Sequence, residues 1–155
     1  MIKILEKIEE KYKSSLKEKN QTKIKTYRLI KSAIKDKDIS LRSENDKIIT
    51  DEDIFKILQS LIKQRKESFE MYSKGGRKNL AEIEMEEIKI IKALLPEQFN
   101  PDETKTLITQ IIKEVKVESI KDMGKVMATL KTKYSGKIDM SLAGQLAKQI
   151  INEKN

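Results

Sequence analysis

Apolar residues recur at intervals of three and four along most of the chain, the spacing of a stripe on one face of an α-helix. Over residues 2–19 the stripe is Leu5, Ile8, Tyr12 and Leu16, with Lys and Glu on the other faces. Asn20-Gln21 interrupts it, and a second stripe follows at Ile24, Tyr27, Ile30 and Ile34. So short a connection predicts two antiparallel neighbours. From Asp36 to Ile49 the pattern lapses among Asp36, Asp38, Ser40, Ser43, Asn45 and Asp46, residue types that favour turns. The stretch reads as an irregular connection, part of which can continue or fray the second helix.

Thr50 followed by Asp51, Glu52 and Asp53 marks a new helix start, a hydroxyl cap with acids in the first turn. The third stripe is Ile54, Leu58, Leu61, Arg65, Phe69 and Tyr72, and Gly75-Gly76 ends it as a C-terminal glycine does. A fourth helix is predicted from about Arg77 to Leu94. Its apolar positions are Leu80, Ile83, Ile90, Ile91, Leu94 and Leu95, and Glu82, Glu84, Glu86 and Glu87 form an acidic outer face. Two long helices joined by a glycine turn predict an αα-hairpin.

Pro96 stops the fourth helix. Asn100-Pro101-Asp102-Glu103 starts the next, with an Asn cap, Pro in the first helical position and acids in the first turn. A domain boundary is therefore expected here, giving units of residues 1–96 and 97–155. Three shorter helices follow. Leu107, Ile108, Ile111, Ile112 and Val115 line the first. Ser119-Ile120-Lys121-Asp122 caps the second, which buries Ile120, Met123, Val126, Met127 and Leu130. After a turn at residues 134–137, the third buries Leu142, Ala143, Leu146 and Ile150. The expected fold is all-α: an N-terminal helical hairpin domain, then a small three-helix bundle.

Composition sharpens the picture. Hydrophobic and charged residues each make up 37% of the 155 residues, which suits thin helical layers with solvated outer faces. Five Gly and two Pro leave few turns for an all-β fold. The net charge is +8, compatible with an anionic partner. Residues 1–37 hold twelve Lys or Arg against five Asp or Glu, so an anion-binding face is expected to begin with the first two helices. The N-terminus lacks the apolar core of a signal peptide. No apolar run reaches the roughly 18 residues of a membrane span. A cytoplasmic protein that does not engage membranes is expected.

His and Cys are absent. That excludes imidazole acid–base chemistry, a Ser-His-Asp triad and thiolate or imidazole metal ligands. Gly75-Gly76-Arg77-Lys78 lacks the spacing of a phosphate loop and lies between helices. The four glutamates of the fourth helix fan around it and do not converge on a metal. Arg65 falls within an apolar stripe. It is either an ion-paired residue between the hairpin arms, with Glu84 or Glu87 as partner, or an RNA contact. Gly124 costs a helix about 1 kcal/mol relative to Ala. With Ala128 four residues on, it lets helix six pack closely on the helix of Gly144, or lets an RNA backbone approach between Lys121, Lys125, Lys131 and Lys133, or does both on opposite faces. Most aromatics lie in apolar stripes, which argues against base stacking and for recognition of shape and phosphate.

Several stretches resemble the YqeY-like family. Tyr27-Arg28-Leu29-Ile30-Lys31-Ser32-Ala33-Ile34-Lys35 resembles its T-L-R-L-L-x-A-I-K segment, and Ile62-Lys63-Gln64-Arg65-Lys66-Glu67-Ser68 its I-K-Q-R-x-E-S. Gly75-Gly76-Arg77-Lys78-Asn79-Leu80-Ala81, with Glu84 and Glu87, is similar to G-G-R-x-D-L-A-x-x-E-x-x-E. Leu94-Leu95-Pro96-Glu97-Gln98 matches Y-L-P-x-Q, and Lys121-Asp122-Met123-Gly124-Lys125-Val126-Met127 matches K-D-M-G-K-V-M. The matches fall in the family's order over almost the whole chain. One stretch departs: the family's G-R-A-D-G is here Gly136-Lys137-Ile138-Asp139-Met140.

The resemblance implies a helical N-terminal domain followed by a three-helix domain. It also implies kinship with the tail of GatB, the tRNA-binding subunit of the glutamine-dependent Asp/Glu-tRNA amidotransferase. Free-standing members carry a label of carbon–nitrogen ligase activity with glutamine as amide donor, chemistry that no residue here supplies. The resulting expectation is a tRNA-binding or amidotransferase-associated accessory protein that holds tRNA or another structured RNA. Lys121, Lys125, Lys131, Lys133 and Lys137 would meet phosphates and Gly124 would permit close approach, with Arg65 and Arg77 as further contacts. The alternative is a helical protein–protein adaptor working without RNA. No catalytic residue, metal or cofactor is expected.

Overall fold

The structure, a computed structural model, describes residues 3–154, without the side chains of Asn45 and Lys154. Ile2, the expected start of the first helix, lies outside the described residues. Among these there are seven α-helices and no strand: α1 (Lys3–Glu18), α2 (Gln21–Asn45), α3 (Asp51–Lys74), α4 (Lys78–Lys92), α5 (Pro101–Glu114), α6 (Met123–Lys133) and α7 (Met140–Lys154). A single 3₁₀ turn, Ile120–Asp122, leads into α6. The chain divides into two compact units, Met1–Pro96 and Glu97–Asn155.

In the first unit α1 ends where Lys19 takes the left-handed conformation (φ 57°). Asn20 then caps α2, its side chain accepting from the Lys23 N–H at 3.1 Å. The buried residues of α1 are Ile4, Ile8 and Ser15. Leu16, expected in the stripe, is 42% exposed, and the Ser15 hydroxyl instead donates to the Tyr12 carbonyl at 2.6 Å.

The larger correction concerns residues 36–49. The helix continues through most of them, to Asn45. Asp36 and Ser43 point outward, as does Ile39, so the turn-forming habit of the first two is never exercised, while Leu41 keeps contact with the core. Asp38 and Arg42 pair one turn apart at 3.3 Å. Asp46, left-handed at φ 52°, stops α2: its N–H donates to Arg42 and that of Lys47 to Leu41. Only the last few residues connect the helices, and Ile49 among them is buried in the core.

α3 starts on a reciprocal capping box between Thr50 and Asp53. Gly75 and Gly76 (φ 74°) turn the chain into α4, and the two helices pack as a hairpin. The buried face of α4 differs from the expected one. Ala81, Glu87, Ile88 and Ile91 are buried, whereas Ile83 is 44% exposed. Counting apolar residues alone placed the stripe off-axis, because the true stripe contains a carboxylate.

In the second unit Asn100 and Glu103 form another capping box with Pro101 in the first turn of α5. The core joins Ile108, Ile111 and Ile112 of α5 to Val126 and Leu130 of α6 and to Ala143, Ala147 and Ile151 of α7. Leu142, Leu146 and Ile150, expected inside, are half-buried, and Ile120 is exposed. Small alanines on the inner face of α7 bring that helix close to its neighbours and push the larger side chains to the flanks. Ile138, from the turn before α7, is fully buried.

Candidate nucleic-acid interface

α6 is held at its start by short-range hydrogen bonds. The Ser119 hydroxyl accepts from the Lys121 N–H at 3.3 Å, and an Asp122 carboxylate oxygen accepts from the Glu118 N–H at 2.9 Å. The Glu118 N–H, with Lys125 nearby, holds the Asp122 carboxyl below its ordinary value. Lys125 Nζ lies 3.5 Å from Asp122, a surface pair with most of the lysine side chain in water.

Helical spacing then sorts the rest of the segment. Val126 and Leu130 face the core, with Met123 and Met127 half-buried beside them. On the opposite side Lys121, Gly124, Lys125, Ala128, Lys131 and Thr132 are all exposed. From Gly124 on, the spacing of one, three, three and one keeps them on one face of α6, and Lys121 stands in the 3₁₀ turn just before it. The Thr132 hydroxyl is turned back onto the Ala128 carbonyl at 2.9 Å. The floor of this face is therefore small, a glycine, an alanine and a folded-back threonine, and lysines edge it.

The two readings of Gly124 separate here. A Cβ added at Gly124 would meet no atom within 4 Å, so no helix packs against it. The close approach between α6 and α7 occurs at Gly144, against the terminal methyls of Met127 and Met123 at 3.8 and 3.9 Å. Gly144 serves packing, and Gly124 faces open space.

Lys133, exposed at the end of α6, lies well round the helix from the Gly124 face. Lys137 sits in the turn that follows. That turn is anchored from several sides. Gly136 is left-handed at φ 77°, the Phe99 N–H donates to the Lys137 carbonyl at 2.8 Å, and Gln98 Nε2 donates to the Gly136 carbonyl. Phe99 and Tyr134 stack at a tilt, centroids 5.7 Å apart. Ile138 enters the core and Asp139 caps α7, accepting from the Ser141 and Leu142 N–H groups at 3.0 and 3.2 Å. A rigid turn thus presents an exposed Lys137 side chain.

A family model described as Yqey-like protein matches residues 5–151. The chain belongs to the YqeY-like family. No curated protein sequence matches it significantly. Against the family pattern G-R-A-D-G, the positions that set the turn, Gly136 and Asp139, are present here, and the departures are Lys137 in place of Arg, a filled core site at Ile138 and a half-buried helix start at Met140.

The two arginines fare differently. Arg65 is 9% exposed, and its Nε donates to Glu87 Oε2 at 2.9 Å across the α3–α4 hairpin. A second donor, Nη1, reaches the Leu61 carbonyl at 3.2 Å. Arg65 is therefore the ion-paired hairpin residue and no surface contact for RNA, and Glu87 leaves the expected acidic outer face for the interior. Arg77 is exposed and precedes α4 in the first unit. Ala128 is recognisable from its spacing of four from Gly124, whereas Thr132 does not stand out in the sequence as part of the lysine face. Its place eight residues from Gly124 and four from Ala128 was the available signal. Among the described residues no cluster of acids could hold a metal. No described helix is long and apolar enough to cross a membrane.

Proposed function

We propose that this protein is a tRNA-binding accessory protein that grips structured RNA through the exposed face of α6 and the turn after it. The observation that carries the reading is Gly124, a helical glycine with nothing packed on it, set among Lys121, Lys125 and Lys131. A phosphate backbone approaches closely where no Cβ stands in the way, and ammonium groups at the rim neutralise it. Between residues 121 and 137 there are five lysines and one acid, so this segment carries a strong positive excess of its own. The scarcity of exposed aromatics fits recognition of shape and phosphate over base stacking. Membership of the YqeY-like family, with its resemblance to the tail of GatB, favours tRNA among structured RNAs and an amidotransferase as the enzyme it assists.

The test is titration of the whole protein with labelled tRNA at several salt concentrations, wild type beside Lys125→Glu. Three to four phosphate contacts give a slope of about −2 to −4 in log K against log salt, and losing one contact removes about one unit. Weak, salt-insensitive binding that is equal for both proteins ends the proposal. A protein partner retained after nuclease treatment, with no RNA binding, would favour the adaptor reading in its place.

A further inference from the structure

The first unit contains an open cleft of about 320 Å³ between α2, α3 and α4, at the small end of the roughly 300–1,000 Å³ typical of small-molecule sites. Part of its lining is apolar. Leu29 and Ile83, both over 40% exposed, stand at the rim, with Leu80 and Tyr72 beside them. Neither Leu29 nor Ile83 belongs to the buried stripe of its helix, so the fold itself does not use them.

The polar part is built around a buried charge. Arg65 spends Nε on Glu87 and Nη1 on the Leu61 carbonyl. Its other guanidinium N–H groups have no acceptor among the described residues, and the side chain lines the cleft. Such a free edge fits a carboxylate. Glu84, half-buried on the same wall, has no hydrogen bond or ion pair among the described residues. Burial first, and the nearby Glu87 second, push its carboxyl above its ordinary value, against the opposing pull of Arg65 and Lys25. Lys25 Nζ stands 4.0 Å from Glu87 at the mouth. Two cations and two acids leave the cleft neutral overall. A bare carboxylate would be opposed by Glu84, and a bare amine by Arg65 and Lys25.

We infer that this cleft binds a free, zwitterionic α-amino acid with an aliphatic side chain. The α-carboxylate takes the open edge of Arg65, the α-ammonium pairs with Glu84, and the side chain lies against Leu29 and Ile83. This site is independent of the lysine face on α6.

The experiment is a methyl-NMR titration of the full chain, labelled at Leu and Ile, with L-leucine, N-acetyl-L-leucine and L-leucinamide. The last two keep the side chain but each lacks one charge. Saturable shifts at Leu29, Leu80 and Ile83 are expected with leucine, with a Kd of about 1 mM or tighter, and at least about tenfold weaker binding of both analogues. Glu84→Gln should weaken leucine binding by a similar factor and Leu29→Asp, at the exposed rim, should abolish it, both with the folded spectrum retained. Absence of saturable shifts with leucine overturns the inference. So do equal affinities for the three probes, or an unchanged affinity in Glu84→Gln.

Discussion

Replacing Gly124 by Ala separates what the fold needs from what a ligand needs. In a helix Gly is about 0.5–1 kcal/mol less favourable than Ala, because its backbone loses more freedom on folding. The usual offset, close packing against the missing Cβ, is absent: no atom lies within 4 Å of where that carbon would stand, and Gly124 has no positive φ to be strained by a side chain. Gly124→Ala should therefore stabilise the C-terminal unit by about 0.5–1 kcal/mol, raising its melting temperature by about 2–8 °C for a unit of this size. Thermal unfolding by circular dichroism reads the shift, and urea midpoints at unchanged slope check it. The same methyl stands on the floor between Lys121, Lys125 and Lys131, where it holds an approaching phosphate backbone away. tRNA affinity should fall by about threefold or more, with the salt slope nearly unchanged because no charge is lost. Lower stability in Gly124→Ala would mean the glycine serves the fold. Higher stability with undiminished RNA binding would mean that the open face is not the contact.

Four further outcomes follow from the geometry. Glu87→Ala should destabilise the first unit by about 3 kcal/mol in urea unfolding, since it leaves the Arg65 guanidinium buried without its carboxylate; Arg65→Met with Glu87→Leu should recover most of that loss. Asn100→Ala and Thr50→Ala should each cost about 1 kcal/mol by removing a side-chain cap from α5 and α3. Burial opposes ionisation of Asp53, but the Thr50 N–H and hydroxyl outweigh it and hold the carboxyl below its ordinary value of 3.8. Its stabilising contribution is thus complete above that value and lost as pH falls through the folded one, so acid unfolding of Thr50→Ala should begin at higher pH than in wild type. Glu84 is shifted the opposite way, raised by burial and then by Glu87, so its ionisation opposes folding as pH rises through the folded value. Glu84→Gln should be the more stable protein near neutrality, with the difference vanishing in acid.

The helical stripes, the hairpin of α3 and α4 and the caps at Thr50, Asn100 and Ser119 were legible because each rests on local chemistry: spacing, a hydroxyl or amide before acids, a glycine after the last turn. Residues 36–49 were not. Asp36, Ser43 and Asp46 all favour turns, and only the last of them ends a helix, because tertiary contact at Leu41 and Ile49 outweighs local preference. The buried face of α4 was misplaced for a related reason. Glu87 counts as polar in any pattern, yet its position opposite Arg65 makes it an interior residue. Gly124 could be singled out from the sequence, but whether a helix lies against it is a three-dimensional fact. The cleft was invisible, since Lys25, Arg65 and Glu84 come from three helices and no spacing within one helix joins them.

Arg65 and Gly124 share a property that bears on function. Each sits where another residue would serve the fold as well or better. A buried ion pair can often be replaced by apolar residues of similar volume without loss of stability, and an unpacked helical glycine by alanine with a gain. Neither departure is fully compensated inside the chain: Arg65 retains donors without acceptors beyond those given to Glu87 and Leu61, and Gly124 retains empty space. Both stand next to groups suited to a charged ligand, Glu84 and Lys25 in one unit, Lys121 and Lys125 in the other. Local choices that cost stability concentrate at functional sites, and here they do so twice, at surfaces of different character. The lysine face is open and singly charged in sign, which suits a long polyanion and a salt-dependent affinity. The cleft is small, partly apolar and charge-balanced, which suits a small dipolar molecule whose binding should vary little with salt. Salt titration of both ligands on the same preparation therefore distinguishes the two sites: a steep dependence for leucine would place its binding on the lysines, and a flat one for tRNA would remove it from them.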